Sequence, residues 1–243
     1  MTITEIIDEA RDLCDATATS YPADDGASAI LVLGRRINIA YERIVGWILE
    51  ADGTWQYDDT NYTDLPIGTQ TLVESQNAYS FSNKFLEIEE VQILDANGDW
   101  GIIKPIDQKE YSDDTPLDEA FATDGIPECY DKIADDTIML YPAPDDGTAV
   151  TLASGLKIKF KRTASVFSYS DIDTGTKVPG FPSPYHAILA YMAAIPYCMT
   201  YKKDRVVMYQ NEVERLKKGI IESYSRREQD KRKQMTMSRR AYK

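Results

Sequence analysis

The chain has 243 residues and a net charge of −13, with 27 Lys and Arg against 40 Asp and Glu. That length suffices for a real core, in one large domain or in a body with an insertion, and the acid excess excludes nucleic-acid binding over the whole surface because it repels phosphates. Three widely spaced cysteines, Cys14, Cys129 and Cys198, argue against a disulfide framework and for a reducing compartment.

Thr2 and Glu5 form a potential capping box. Ile3, Ile6, Ile7, Ala10, Leu13 and Cys14 then predict a short amphipathic helix. Met1–Glu5 has no basic start followed by an apolar run, so no signal peptide is expected. Tyr21-Pro22-Ala23-Asp24-Asp25-Gly26 breaks the helix. Ile30, Leu33, Ile37, Tyr41, Ile44 and Ile48, spaced by three or four, predict a second helix ending near Glu50, with Asp52-Gly53 as its stop.

From Thr54 to Arg162 helical periodicity disappears. Thr71–Glu74 and Tyr79–Phe81 read as strands around a Ser75-Gln76-Asn77 turn. Leu86–Leu94 alternates, and Asn97-Gly98 marks a turn before Trp100–Ile103, the clearest hairpin in the chain. Thr137–Tyr141 and Leu156–Lys161 read as another pair joined by a long loop, the second with one wet face because it alternates apolar residues with Lys. Asp107–Ala122 is polar, with room for a helical turn or two, and Asp171–Pro182 reads as a Pro- and Gly-rich loop.

Ser183 and Pro184 suit the N-cap and first position of a third helix, apolar to about Tyr201. Tyr185–Tyr201 is short for a bilayer span, so it reads as a core helix and no membrane is expected. Val206, Tyr209, Val213, Leu216, Ile220 and Tyr224 form one narrow stripe on a fourth helix, as a core or inter-subunit surface. The stripe stops there and a basic arm follows. Residues from Tyr201 onward hold 14 of the 27 Lys and Arg but 6 of the 40 Asp and Glu, a net of +8, which leaves −21 upstream. Such an arm cannot build a core and is suited to nucleic acid or an acidic protein surface.

The fold class expected is therefore α+β. Residues 1–53 and 171–225 form a helical body of two N-terminal and two C-terminal helices, 54–170 form an inserted β-rich domain, and 226–243 form the basic arm.

A search for chemistry finds little. His186 is the only histidine, and the zinc, phosphate-loop, dinucleotide and nucleophile-elbow motifs are missing. The doublets Asp24-Asp25, Asp58-Asp59, Asp113-Asp114, Asp135-Asp136 and Asp145-Asp146 read as turn and solubilising residues, and the first and last sit beside Gly or Pro, where Asp favours turns. Asp95–Asp99 matches part of a calcium loop without its distant bidentate Glu, and a hairpin turn explains it. No catalytic residue, cofactor or metal site is assigned. Tyr21, Tyr57, Tyr62 and Tyr242 lie in segments read as loops or tail and are candidate interface residues.

Several phrases, in order, carry a resemblance. They are Trp55–Pro66 after the second helix, Leu72–Tyr79, Ile88–Asp95 with Gly98 and Trp100, and Phe181–Tyr191 leading into the long helix to Tyr224. Together they resemble the head-to-tail connector, or adaptor, proteins of tailed bacteriophages, over about Ser28 to Arg227. The resemblance implies a structural virion protein at the head–tail junction, assembled in the host cytoplasm. It implies a homo-oligomeric ring, usually of twelve copies, beneath the portal and beside the next neck or tail protein. DNA would pass through without sequence-specific binding. It implies that the C-terminal arm reaches the portal; by charge and aromatic character Arg226, Arg227, Lys231, Arg232, Lys233, Arg239, Arg240 and Tyr242 are the candidate contacts. It carries no catalytic residues. The rival readings are a nucleic-acid-binding protein or another tail or baseplate component using the basic tail, and a cytoplasmic hydrolase using paired carboxylates.

Overall fold

The computed structural model describes residues 1–15, 29–51, 58–82, 85–106, 119 and 121–225. It is a mixed α+β structure. The chain divides into two compact units, Met1–Asn61 with Ala164–Lys243, and Tyr62–Thr163.

The described helices belong to the first unit: α1 (Ile3–Leu13), α2 (Ala29–Ala51), α3 (Tyr169–Thr174), α4 (Ala187–Tyr201) and α5 (Lys203–Ser225). α1 begins with the full capping box, the Thr2 side chain accepting from Glu5 N while the Glu5 carboxylate accepts from Thr2 N. Its buried Ile3, Ile6, Ile7 and Ala10 face a core shared with Leu33, Ile37, Ile44 and Ile48 of α2. α4 is apolar nearly all round, and Ile188, Leu189, Ala190, Ala193, Ala194 and Cys198 are buried. Among the described residues no helix is long and apolar enough to cross a membrane.

Two details of this unit differ from expectation. Ser183–Tyr185 forms a 3-10 turn without a side-chain cap, and α4 starts at Ala187. Ser183 therefore does not cap the helix, and His186, which follows the turn, is buried. The stretch read as an Asp171–Pro182 loop begins inside α3. Ser168 accepts from Asp171 N and the Asp171 carboxylate accepts from Ser168 N, a second capping box. Ile172 of α3 packs onto Gly34 of α2, where a Cβ would lie 2.6 Å from it.

The second unit is a curled sheet of β1 (Ile67–Gln70), β2 (Ala78–Ser80), β3 (Phe85–Leu94), β4 (Trp100–Pro105), β5 (Cys129–Ala134), β6 (Thr137–Tyr141) and β7 (Leu156–Arg162). The strand order is β1-β7-β3-β4-β5-β6-β2. The β3–β4 hairpin forms as predicted. In its loop Gly98 has φ +89°, and the Asp95 carboxylate accepts from Asn97 N and Asp99 N at 2.9 and 2.8 Å. Those donors, Asp99 N first, hold the Asp95 carboxyl below its ordinary range.

The other two predicted pairs are not formed. β6 pairs with β5 and β2, and β7 pairs with β1 and β3. The physical reason is charge and pattern. β3 places Glu87 opposite Lys161, Ile88 opposite Phe160, Glu90 opposite Lys159 and Val91 opposite Ile158. Opposite charges across strands favour this register over a like-charged one. Lys161 is only 6 % exposed, 2.9 Å from Glu87, and Arg162 is also buried, so β7 is less wet than its alternation predicts. Thr71–Glu74 is not a strand. The hydroxyl of Tyr79 accepts from Val73 N and donates to Val73 O, and Leu72 N donates to Leu152 O, so this backbone is satisfied outside any ladder. β5 carried no recognised signal. Most of Asp107–Ala122 lies outside the described residues.

The helical unit is joined to itself across the inserted segment by Asp59, 2 % exposed. Its carboxylate accepts from Asn61 N and Ser165 N, both at 2.9 Å, and from the hydroxyl of Tyr41. Tyr41 Oη in turn accepts from Gly180 N at 2.6 Å. A Cβ on Gly180 would lie 1.7 Å from the Asp59 carboxylate, so this close approach requires glycine. Asp59→Ala would remove the acceptor of three donors, the buried Tyr41 hydroxyl and the part-buried N–H groups of Asn61 and Ser165. It is expected to lower the unfolding free energy by about 3 kcal/mol, read as a fall in the urea midpoint. An unchanged midpoint would show that those donors find other acceptors.

Candidate interaction surface

α5 carries two opposed faces. Tyr209, Val213, Leu216, Ile220 and Tyr224 are buried in the helical unit, and Val206 is half-buried. Burying one such side chain contributes about 1.5–3 kcal/mol, so this stripe holds α5 in place. The other face is charged but interrupted by Val207 and Met208, both well exposed.

The start of α5 forms an elbow with α4 at Lys202, whose backbone is non-helical (φ −144°, ψ 60°). The end of α1 docks there. Tyr209 Oη donates to Leu13 O at 2.8 Å. The Asp15 carboxylate lies 2.7 Å from Lys202 Nζ and 2.6 Å from an Arg205 nitrogen. Hydrogen bonds from Lys202 and then Arg205 hold the Asp15 carboxyl below its usual range. Beneath them Cys14 and Cys198 are buried free thiols. Burial, with Cys198 beside it, pushes the Cys14 thiol up to about 12, so it is no nucleophile at neutral pH.

Beside this docking point is a groove of about 510 Å³ lined by Leu13, Tyr191, Met208, Tyr209, Asn211, Glu212 and Arg215. Arg215 pairs with Glu212 one turn away. Glu212 and then Glu9 add to burial in raising the Tyr191 phenol, so both carboxylates sit near the groove.

The residues weighed for chemistry, and read from the sequence as structural, have structural partners. His186 is buried; Nε2–H donates to Phe181 O at 2.8 Å, leaving Nδ1 as an acceptor 3.1 Å from the Met1 amine. Asp145 accepts from Gly147, Ala149 and Val150 N–H groups, and Asp146 from Thr148, as turn residues do. Tyr62 is half-buried. Its hydroxyl donates to Thr163 O and its ring lies 3.7 Å under the Arg162 guanidinium. Arg226, Arg227, Lys231, Arg232, Lys233, Arg239, Arg240 and Tyr242 lie outside the described residues, as do Tyr21, Tyr57, Asp24-Asp25 and Asp113-Asp114. Sequence reading missed the groove, whose walls come from three separated segments, and the buried role of Asp59.

A protein-family model described as SU10 adaptor protein matches residues 1–240. No curated protein matches the chain.

His186 supplies a pH test. Burial lowers its pKa below the ordinary value near 6.5. The unfolded chain therefore takes up the proton first, and stability present above that pH is lost as pH falls from about 6.5 toward the lower folded value. His186→Gln is expected to flatten this part of the curve, read by chemical denaturation at about pH 7.5 and about pH 5.5. An equal acid loss in the variant would assign the effect to other groups.

Proposed function

This chain belongs to the SU10 adaptor protein family, and from that premise we propose that it is a head-to-tail connector of a tailed bacteriophage. A phage adaptor is a structural rather than a catalytic kind of protein. In this reading the protein forms a ring, of twelve copies, beneath the portal at the head–tail junction of the virion, and joins the DNA-filled head to the next neck or tail protein. The single observation that carries the reading is the family match over residues 1–240. Charge supports it. The net of −21 before Tyr201 lets DNA pass through a ring without adhering.

The helical unit builds the ring, and the β-rich unit meets a neighbouring copy or the next tail component. The arm, 226–243, docks on the portal. Arg226, Arg227, Lys231, Arg232, Lys233, Arg239 and Arg240 supply charge-assisted hydrogen bonds there, and Tyr242 an aromatic anchor.

Electron microscopy of the protein with and without portal-bearing heads tests the ring. Density with rotational symmetry beneath the portal is the expected result, and heads that bind no adaptor overturn it. Deleting Arg226–Lys243 should leave a folded protein, by circular dichroism, that fails to attach to heads. Normal attachment removes the docking role from the arm. Duplex DNA binding by the intact chain that weakens steeply with salt, and is lost on deletion, would favour a nucleic-acid-binding arm instead.

A further inference from the structure

The outward face of α2 has a composition that its own chain does not explain. Arg35, Ile39, Glu42, Arg43, Gly46 and Glu50 are exposed and share one side of the helix. Ile39, in the middle of this stripe, is 53 % exposed, with an arginine one turn to either side. Gly46 is the second anomaly. Glycine in a helix interior is destabilising relative to alanine, yet among the described residues a Cβ at Gly46 would meet nothing within 4 Å. Gly34 on the same helix differs, because Ile172 fills the space where its Cβ would be. Gly46 weakens the helix and gains no packing from the described residues. An exposed helical glycine does allow a second backbone to come close.

The α1–α4–α5 groove has the complementary character. Leu13, Tyr191, Met208 and Tyr209 give it an apolar floor, and Met208 is 60 % exposed. Glu212 lines the groove, and Glu9 of α1 is close enough to act on Tyr191. The bases beside it are already paired, Arg215 with Glu212 and Arg205, which reaches Leu13 O, with Asp15.

We propose that the α2 stripe of one copy packs into the α1–α4–α5 groove of the next, with Ile39 on the apolar floor, Arg35 and Arg43 facing Glu9 and Glu212, and Gly46 setting the close approach. The occupant is a second copy because the stripe offers an apolar residue between two cations to an apolar floor flanked by Glu9 and Glu212. A contact between two different patches is heterologous, so repeating it generates a ring when the rotation closes. The inference rests on the ring reading above and adds which surfaces meet.

The test uses full-length protein bound to portal-bearing heads. Ile39→Cys and Met208→Cys chains are mixed, assembled and treated with a short bis-maleimide, with wild type as the control for Cys129. Covalent dimers in the mixture, absent from either variant alone, are expected, and an Ile39→Cys/Met208→Cys double variant should give a ladder of higher oligomers. Assembled rings with no cross-link above wild type, or cross-links to portal alone, overturn the proposal while leaving the ring reading standing. Absence of any ring by microscopy overturns both. Gly46→Trp separates contact from folding. Its thermal midpoint should match or exceed wild type, since the site is open among the described residues of one copy, while head-bound protein falls at least tenfold. Undiminished assembly with that tryptophan overturns the proposed contact.

Discussion

The two oxygens of Asp59 take an O–H from Tyr41 and N–H groups from Asn61 and Ser165, and the helical unit depends on that arrangement. The unit is discontinuous in sequence: it stops at Asn61 and resumes at Ala164. Something must hold the leaving and returning strands of chain together, or inserting about a hundred residues would cost the unit its closure through loop entropy. A buried carboxylate does this well, because its several acceptor sites reach donors on both segments. Around it Tyr41 stacks on Phe167 at 5.6 Å, and Asn38 exchanges two hydrogen bonds with the Phe167 backbone. α2 is thus the surface on which the returning chain is laid, and Gly180 is the point where that chain passes closest to the carboxylate.

In the β-rich unit a different constraint operates. The sheet is ordered so that strands distant in sequence pair, β7 lying between β1 and β3. Cross-strand Glu–Lys opposition selects this arrangement, and Lys161 sits between Glu87 and Glu89 at 2.9 and 3.8 Å. Glu89 meets competing effects: burial raises its pKa, and Lys161 lowers it. A buried lysine without those carboxylates would be costly to desolvate, so the pairing is enforced as much by the penalty of other registers as by its own attraction.

The same economy appears wherever chemistry was sought. Described carboxylates such as Asp59, Asp95, Asp145 and Asp171 are spent on backbone N–H groups, and the imidazole is spent on Phe181 O. Side chains committed to holding turns and caps in place are poorly suited to move protons, which accords with a family of structural phage proteins. What such a protein offers a partner is surface: the exposed Val207 and Met208 on α5, the groove beside them, and Ile39 on α2.

Amphipathic helices are legible because their signal is local. The isoleucines of α1, the stripe of α2 and the Tyr209–Tyr224 stripe of α5 each repeat within a few residues, and the α1 capping box sits beside its stripe. The Leu94–Trp100 hairpin is legible for the same reason, its turn chemistry lying in five adjacent residues. The loss of helical period after residue 54 announced the strands that form the sheet. Strand partners were not legible. β7 alternates equally well opposite β6 or β3, and only the assembled sheet decides, because the Glu–Lys match is made across seventy residues. The groove, the burial of Asp59 and the purpose of Gly180 belong to the same class. Each depends on segments far apart in the chain meeting in space, and hydrophobic period carries no information about which distant donor a carboxylate will find.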